Sequence, residues 1–233
     1  MTFGRISVGI VVALAGTASR DLHAQDSISR IFRDALTEIA VASELPRLDS
    51  AALLPGVRRE IRIYDGFGLG SGNRVVRLVE HTHGVDGQLG VFWPSQNWGR
   101  VYSSPAAERR ARDEDRAWDD HMLAHVDKAY DCHMIKQTRA MRVCWLPERP
   151  DARVALTRLL ARLDSLGIDS IPSPLQQKDG VDGWIIIVEL RSPARYRAYT
   201  YYMPDSTSAD AGERASARVV EAVWQVFKER GRH

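Results

Sequence analysis

The sequence predicts an α+β protein: an antiparallel sheet built from hairpins, with three or four packing helices. Three observations carry this. Strand-like runs come in sequential pairs joined by short polar or glycine-rich turns. Four other segments repeat apolar residues at three-to-four spacing, the helical period. Hairpins outnumber possible parallel crossovers, which disfavours a doubly wound sheet.

The chain opens with a different kind of segment. Arg5 precedes an apolar run from Ile6 to Ala18, followed by small and polar residues. That run is well short of the roughly 20 apolar residues a bilayer span needs, and its flanks are those of a secretory signal peptide. Cleavage is expected after Ala24, with Ala18 as the other plausible point. Thr17 stands where a lipoprotein signal would carry cysteine, so no lipid anchor is expected. Residues 25–233 then form a single α+β domain, with a possible subdomain division near 147–151, in a periplasmic or secreted protein.

The first helix is predicted over 29–44, where Ile31, Phe32, Ala35, Leu36 and Ile39 share a face and Pro46 stops the run. Strands follow at 58–64, 73–80 and 88–93. Between the first two lies "YDGFGLGSGN", with glycine at 66, 68, 70 and 72. A dinucleotide fingerprint needs G-x-G-x-x-G between strand and helix, and a P-loop needs a lysine. Neither register here supplies the third glycine, no lysine follows, and the next segment is a strand. The loop reads as a turn. A long helix is predicted over 105–130, with Ser104 as its N-cap and Pro105 in the first turn. Its first half is almost wholly charged. A helix over 151–166 carries Ala155, Leu156, Leu159, Leu160 and Leu163, and Gly167 then Ile168 read as a glycine cap with its hydrophobic contact. "WIIIVEL" is a continuous apolar run of the kind that fills a central strand. Asp179, Asp182 and Glu189 flank it, but Asp179-Gly180 and Asp182-Gly183 are turn chemistry in their own right. An aromatic strand, "RYRAYTYYMP", and an amphipathic helix over 209–230 close the chain.

Both cysteines, Cys132 and Cys144, fall in the mature region. An even count in an oxidising compartment points to a disulfide. A hairpin turn centred on Thr138 would set Cys132 opposite Cys144, and closing so short a loop contributes about 3 kcal/mol on the chain-entropy view.

Removing residues 1–24 leaves 30 basic against 29 acidic residues. So even a balance argues against nucleic acid as a partner, because that affinity rests on neutralised phosphates. No G-x-S-x-G nucleophile elbow occurs. Two groups remain. Arg195, Arg197, Tyr199 and Tyr201 share one face of the aromatic strand, with Trp184 beside it. Tyrosine and arginine in this pattern fit a contact surface for a protein, or for a small anionic or sugar ligand. The rival reading is a zinc hydrolase: His81 and His83 after a strand, His121 and His125 four apart on a helix, and Glu80, Glu114 or Asp120 as carboxylate partner. The helical pair lacks the glutamate of the zinc-protease motif. The expectation is a non-catalytic binding or assembly protein without a cofactor, and zinc enters only under the rival reading.

Overall fold

The computed structural model describes residues 30–66, 73–95, 103–130, 135–138, 140–146, 153–172 and 184–227. The predicted leader, the glycine loop beyond Gly66, Cys132 with His133, and the loop at 173–183 lie outside them. In chain order the elements are α1 (Arg30–Ala42), β1 (Val57–Gly66), β2 (Asn73–His81), β3 (Gly84–Pro94), α2 (Pro105–Tyr130), β4 (Ile135–Gln137), β5 (Met141–Trp145), α3 (Arg153–Ser165), β6 (Ile185–Arg191), β7 (Tyr196–Tyr202) and α4 (Ala211–Phe227). The described residues thus hold four helices and seven strands, and the strands form one sheet in the order β4-β5-β3-β2-β1-β6-β7. Every neighbouring pair is antiparallel. The fold is a mixed α+β one.

Alternation along the strands explains why both faces are covered. Ile61 and Ile63 of β1, Val76 and Leu78 of β2, and Ile186, Val188 and Leu190 of β6 point to one face. Leu156, Leu159, Leu160 and Leu163 of α3 pack there, with Val219, Val223 and Phe227 of α4 and Met122 of α2. The opposite face presents Tyr64, Val75, Phe92, Val143, Ile187 and Ala198 to Leu36, Ile39 and Ala42 of α1. Burying a Leu, Ile or Phe side chain is worth about 1.5–3 kcal/mol, so these two layers hold the sheet between them.

Helix ends follow local chemistry. Ser104 Oγ accepts from Ala107 N at 3.2 Å and starts α2. Asp210 Oδ1 accepts from Glu213 N at 2.7 Å and starts α4. Gly167, at φ 69°, ends α3; its N donates to Asp164 O and Ile168 N donates to Leu163 O, the paired bonds of a Schellman cap. Ile168 is fully buried beside them.

Two strand details depart from the sequence reading. β3 begins at Gly84, four residues earlier than expected, with His81 paired to Gly84. Asp86-Gly87 resembles a turn, but Gly87 is there for packing: a Cβ on it would lie 2.5 Å from Leu156 Cδ2. The cysteine hairpin is also set differently. Ile135, not Cys132, pairs with Cys144, and Thr138 N donates to Met141 O across the turn. The turn is therefore centred past Thr138, and the other edge of β5 lies on β3, where Gly90 pairs with Trp145. Cys144 itself is fully buried and is not a free thiol.

At the start of α4 a second close approach fixes a residue. A Cβ on Gly212 would lie 1.9 Å from the Tyr201 hydroxyl, which donates to Pro172 O. Gly212→Ala is expected to cost about 1–3 kcal/mol through this overpacking, read as a lowered Tm. A variant within about 0.5 kcal/mol of the parent would mean that Tyr201 swings aside freely.

Candidate functional site under helix α1

The α1 face of the sheet is not apolar throughout. Next to the apolar patch, β1 contributes Glu60 and Arg62, β6 contributes Glu189, and all three are buried; Glu189 is 6% exposed and Arg62 1%. The strand pattern "REIRIY" places Glu60, Arg62 and Tyr64 on one parity, while Ile61 and Ile63 point into the other layer. Antiparallel pairing then sets Arg62 beside Arg77 of β2 and beside Glu189 of β6.

These side chains form a connected chain of bonds. Arg77 Nε donates to Glu60 Oε1 at 2.8 Å, and Arg62 Nε donates to the same oxygen at 2.9 Å. Arg62 Nη2 also donates to Pro46 O at 2.9 Å, tying the α1–β1 connection to the sheet. The Tyr64 hydroxyl donates to Glu189 Oε2 at 2.9 Å, and the Tyr196 hydroxyl of β7 donates to Glu189 Oε1 at 2.8 Å. Cations and carboxylates balance across this set, which is what allows four charged groups to leave water.

The two carboxylates differ in proton affinity. Burial works to raise Glu60, but the Arg77 hydrogen bond and the charges of Arg62 and Arg77 outweigh it and hold Glu60 below its ordinary value. Burial dominates at Glu189 and raises it, against the Tyr196 and Tyr64 hydrogen bonds and the Arg62 charge. Both tyrosines are pushed upward, first by burial and then by Glu189, and remain neutral donors.

Part of this network is the floor of a cavity of about 310 Å³ between α1, the α1–β1 connection and the sheet. Arg33, Thr37 and Ala40 of α1 form one wall. Arg47, Leu48 and Asp49 form another, and Arg62, Glu189 and Tyr196 line the base. Arg47 Nε donates to Asp49 Oδ1 at 3.1 Å, and its Nη2 bonds the other carboxylate oxygen. The arrangement offers charged and hydrogen-bonding groups to a small molecule within a half-apolar enclosure, the usual make-up of a ligand site.

The residues singled out in the sequence fall elsewhere. Tyr199 and Tyr201 are 0% and 5% exposed and face α3 and α4. Burial, and then Asp210, push the Tyr201 phenol up to about 12. Arg197 is half-buried and donates to the carbonyls of Asp169 and Ile171, and exposed Arg195 donates to Asp169 O at 3.2 Å. Trp184 is half-buried against the same layer, and its carbonyl accepts from Met203 N at 2.9 Å. This strand anchors the 167–172 segment, and Tyr199 and Tyr201 serve the interior.

His81 and His83 are not brought to His121. His81 Nε2 lies 3.0 Å from Asp86 Oδ2 at the tip of the β2–β3 hairpin, and His83 is exposed there. His121 stacks on Trp118 of α2, with ring centroids 6.0 Å apart. The neighbouring Asp119 accepts from Trp93 Nε1 and from Arg142. Gly84 and Trp93 mark opposite ends of β3, about 30 Å apart at the usual strand rise. The His125 side chain is outside the described ones. Among the described residues no group of three or more His, Cys, Asp or Glu is placed to hold a metal ion.

Sequence reasoning passed over Arg62, Tyr64 and Tyr196, and weighed Glu189 only as a flanking acid. The signal was there: one glutamate inside "WIIIVEL" must find a partner if that strand is central. No protein-family model matches this chain, and no curated protein or solved structure is significantly similar to it.

Proposed function

We propose that this chain is an exported, non-catalytic binding domain that holds a small polar molecule in the cavity beneath α1. One observation carries the reading. Arg62 and Glu189, both withdrawn from water, border a cavity of about 310 Å³ that no side chain of the described residues fills. A purely structural ion network gains most when packed tightly. A polar void instead takes water or a ligand. Among the described residues no helix is long and apolar enough to cross a membrane. Export rests on the leader-like residues 1–24, and a Cys132–Cys144 bridge suits that compartment.

The experiment uses protein exported on its own leader. Its intact mass is expected to show cleavage after Ala24 and the loss of two hydrogens. Thermal denaturation is then followed against a panel of sugars, sugar acids, amino acids and dicarboxylates. At least one compound is expected to raise Tm in the parent and not in Ala40→Trp, where the indole occupies the cavity. A panel without effect, or equal shifts in both proteins, sinks the binding reading.

A further inference from the structure

Glu189 is a buried carboxylate whose hydrogen bonds come from neutral groups. Tyr64 donates to one of its oxygens and Tyr196 to the other. An ionised carboxylate has about four acceptor sites, so each oxygen keeps a place for a further donor. Arg62 is its direct cross-strand partner, yet directs Nε to Glu60 and Nη2 to Pro46 O. Because Glu189 lines the cavity and is otherwise withdrawn from water, the next donor comes from whatever occupies the cavity.

The charges around that carboxylate decide what kind of donor fits. In the network beneath the cavity Glu60 and Glu189 stand against Arg62 and Arg77. On the walls Arg47 is paired with Asp49, and Arg33 has a partner of its own. Opposite charges here are interleaved, not sorted to two ends: cross-strand partners such as Arg62 and Glu189 leave the sheet about 5 Å apart. An ammonium group placed on Glu189 would therefore lie against Arg62, and a carboxylate placed on Arg62 would lie against Glu189. Either ion would meet a like charge where water is scarce and screening is weak. A hydroxyl escapes both repulsions, since it donates to a carboxylate and accepts from a guanidinium while staying neutral. Leu36, Leu48 and Ala198 give the cavity an apolar side, which suits the C–H face of a ring that carries hydroxyls along its edge.

Resting on the binding function proposed above, we infer that the ligand is a small uncharged sugar. Its hydroxyls donate to Glu189, and its C–H face lies against Leu36, Leu48 and Ala198.

Calorimetric titration with sugars of one frame and different charge tests this. D-Glucose and D-galactose are neutral, D-glucuronate and D-galacturonate carry a carboxylate, and D-glucosamine and D-galactosamine carry an ammonium group. One neutral sugar is expected to bind at least about ten-fold more tightly than its charged counterparts, a difference of about 1.4 kcal/mol. Glu189→Gln keeps two polar atoms in place but replaces a charged acceptor, and is expected to weaken that sugar about ten-fold. A charged sugar that binds as tightly as its neutral parent overturns the inference. So does unchanged affinity in Glu189→Gln, or a failure of both neutral sugars to bind at millimolar concentration. Ala40→Trp separates the ligand class from the site. If a charged probe binds best and the tryptophan abolishes it, the class is wrong and the cavity reading stands. If binding of the neutral sugar survives the tryptophan, the cavity reading fails as well.

Discussion

Replacing Arg62 with alanine is expected to destabilise the fold by about 3–5 kcal/mol, the usual cost of removing one partner from a buried charge network. The arginine sits between two carboxylates on neighbouring strands and is 1% exposed. Burial opposes its charge, yet Tyr64, Glu60 and Glu189 outweigh that and raise its pKa above the ordinary value. Without it Glu60 keeps two bonds from Arg77, but Glu189 loses the cation that offsets its own burial. The Pro46 carbonyl loses its donor too, so the connection from α1 is released from the sheet. Guanidinium unfolding should show the drop as a lower midpoint at unchanged slope. Arg33→Ala, on the exposed wall of the same cavity, is expected to stay within about 0.5 kcal/mol of the parent. If the two variants lose the same amount, burial of the network is not what makes Arg62 costly to remove.

The parts of this molecule that were legible in the sequence are those set by local chemistry. The Leu156, Leu159, Leu160 and Leu163 stripe of α3 shows in the helical period, and Gly167 followed by Ile168 announces its cap. Ser104 before Pro105 marks the start of α2 in the same way. Registers are set by distant partners. β5 lies against β3, more than forty residues earlier in the chain, and pairs Ile135 with Cys144, so a turn placed by symmetry between the cysteines puts Ile135 out of position.

Which face of a strand is open was equally hidden. Alternation puts Arg197, Tyr199 and Tyr201 on one parity, but in this sheet that parity lies under α3 and α4. A tyrosine stripe at period two looks the same whether it meets a partner or the protein's own helices. The cavity needed three strands, α1 and the α1–β1 connection at once, and no window of sequence contains them together. What the sequence did hold was a glutamate inside the apolar run of β6, Glu189, and an arginine set between Ile61 and Ile63 in β1, Arg62. A charge that strand burial takes from water must be met inside by an opposite charge or by hydrogen-bond donors, and here Glu60 meets Arg62 while Tyr64 and Tyr196 meet Glu189.

Glu189 and Glu60 pull the pH dependence of stability in opposite directions, and the difference identifies the cavity floor. Both carboxyls start from an ordinary value of 4.5. Burial raises Glu189, so the folded protein takes up its proton at higher pH than the unfolded chain does. Its stabilising effect is complete below 4.5 and is lost as pH rises through the elevated folded value. Glu60 is depressed by Arg77 and Arg62 against its own burial, so its contribution is present above 4.5 and is lost as pH falls through the lowered folded value. Asp49, depressed by Arg47 against its own burial, acts in the same sense as Glu60 but is more exposed and contributes less. Acidification from neutral pH is therefore expected to raise stability at first, by at most about 1.4 kcal/mol per pH unit for one proton, and then to lower it.

Glu189→Gln removes the first limb and leaves the second. The amide oxygen still accepts one phenol hydrogen bond, and its nitrogen donates to the other phenol oxygen, so the shape of the floor is kept. Tyr64, Tyr196 and Arg62 face this carboxyl from β7 and β1, with Arg33, Arg47 and Asp49 across the cavity; the two tyrosines stay neutral and the arginines stay charged over the range concerned. Unfolding curves collected at a series of pH values should show the rise above 4.5 in the parent and a flat region in the variant. If Glu189→Gln retains the rise, another group holds that proton, and Glu189 is not the acid at the base of the cavity.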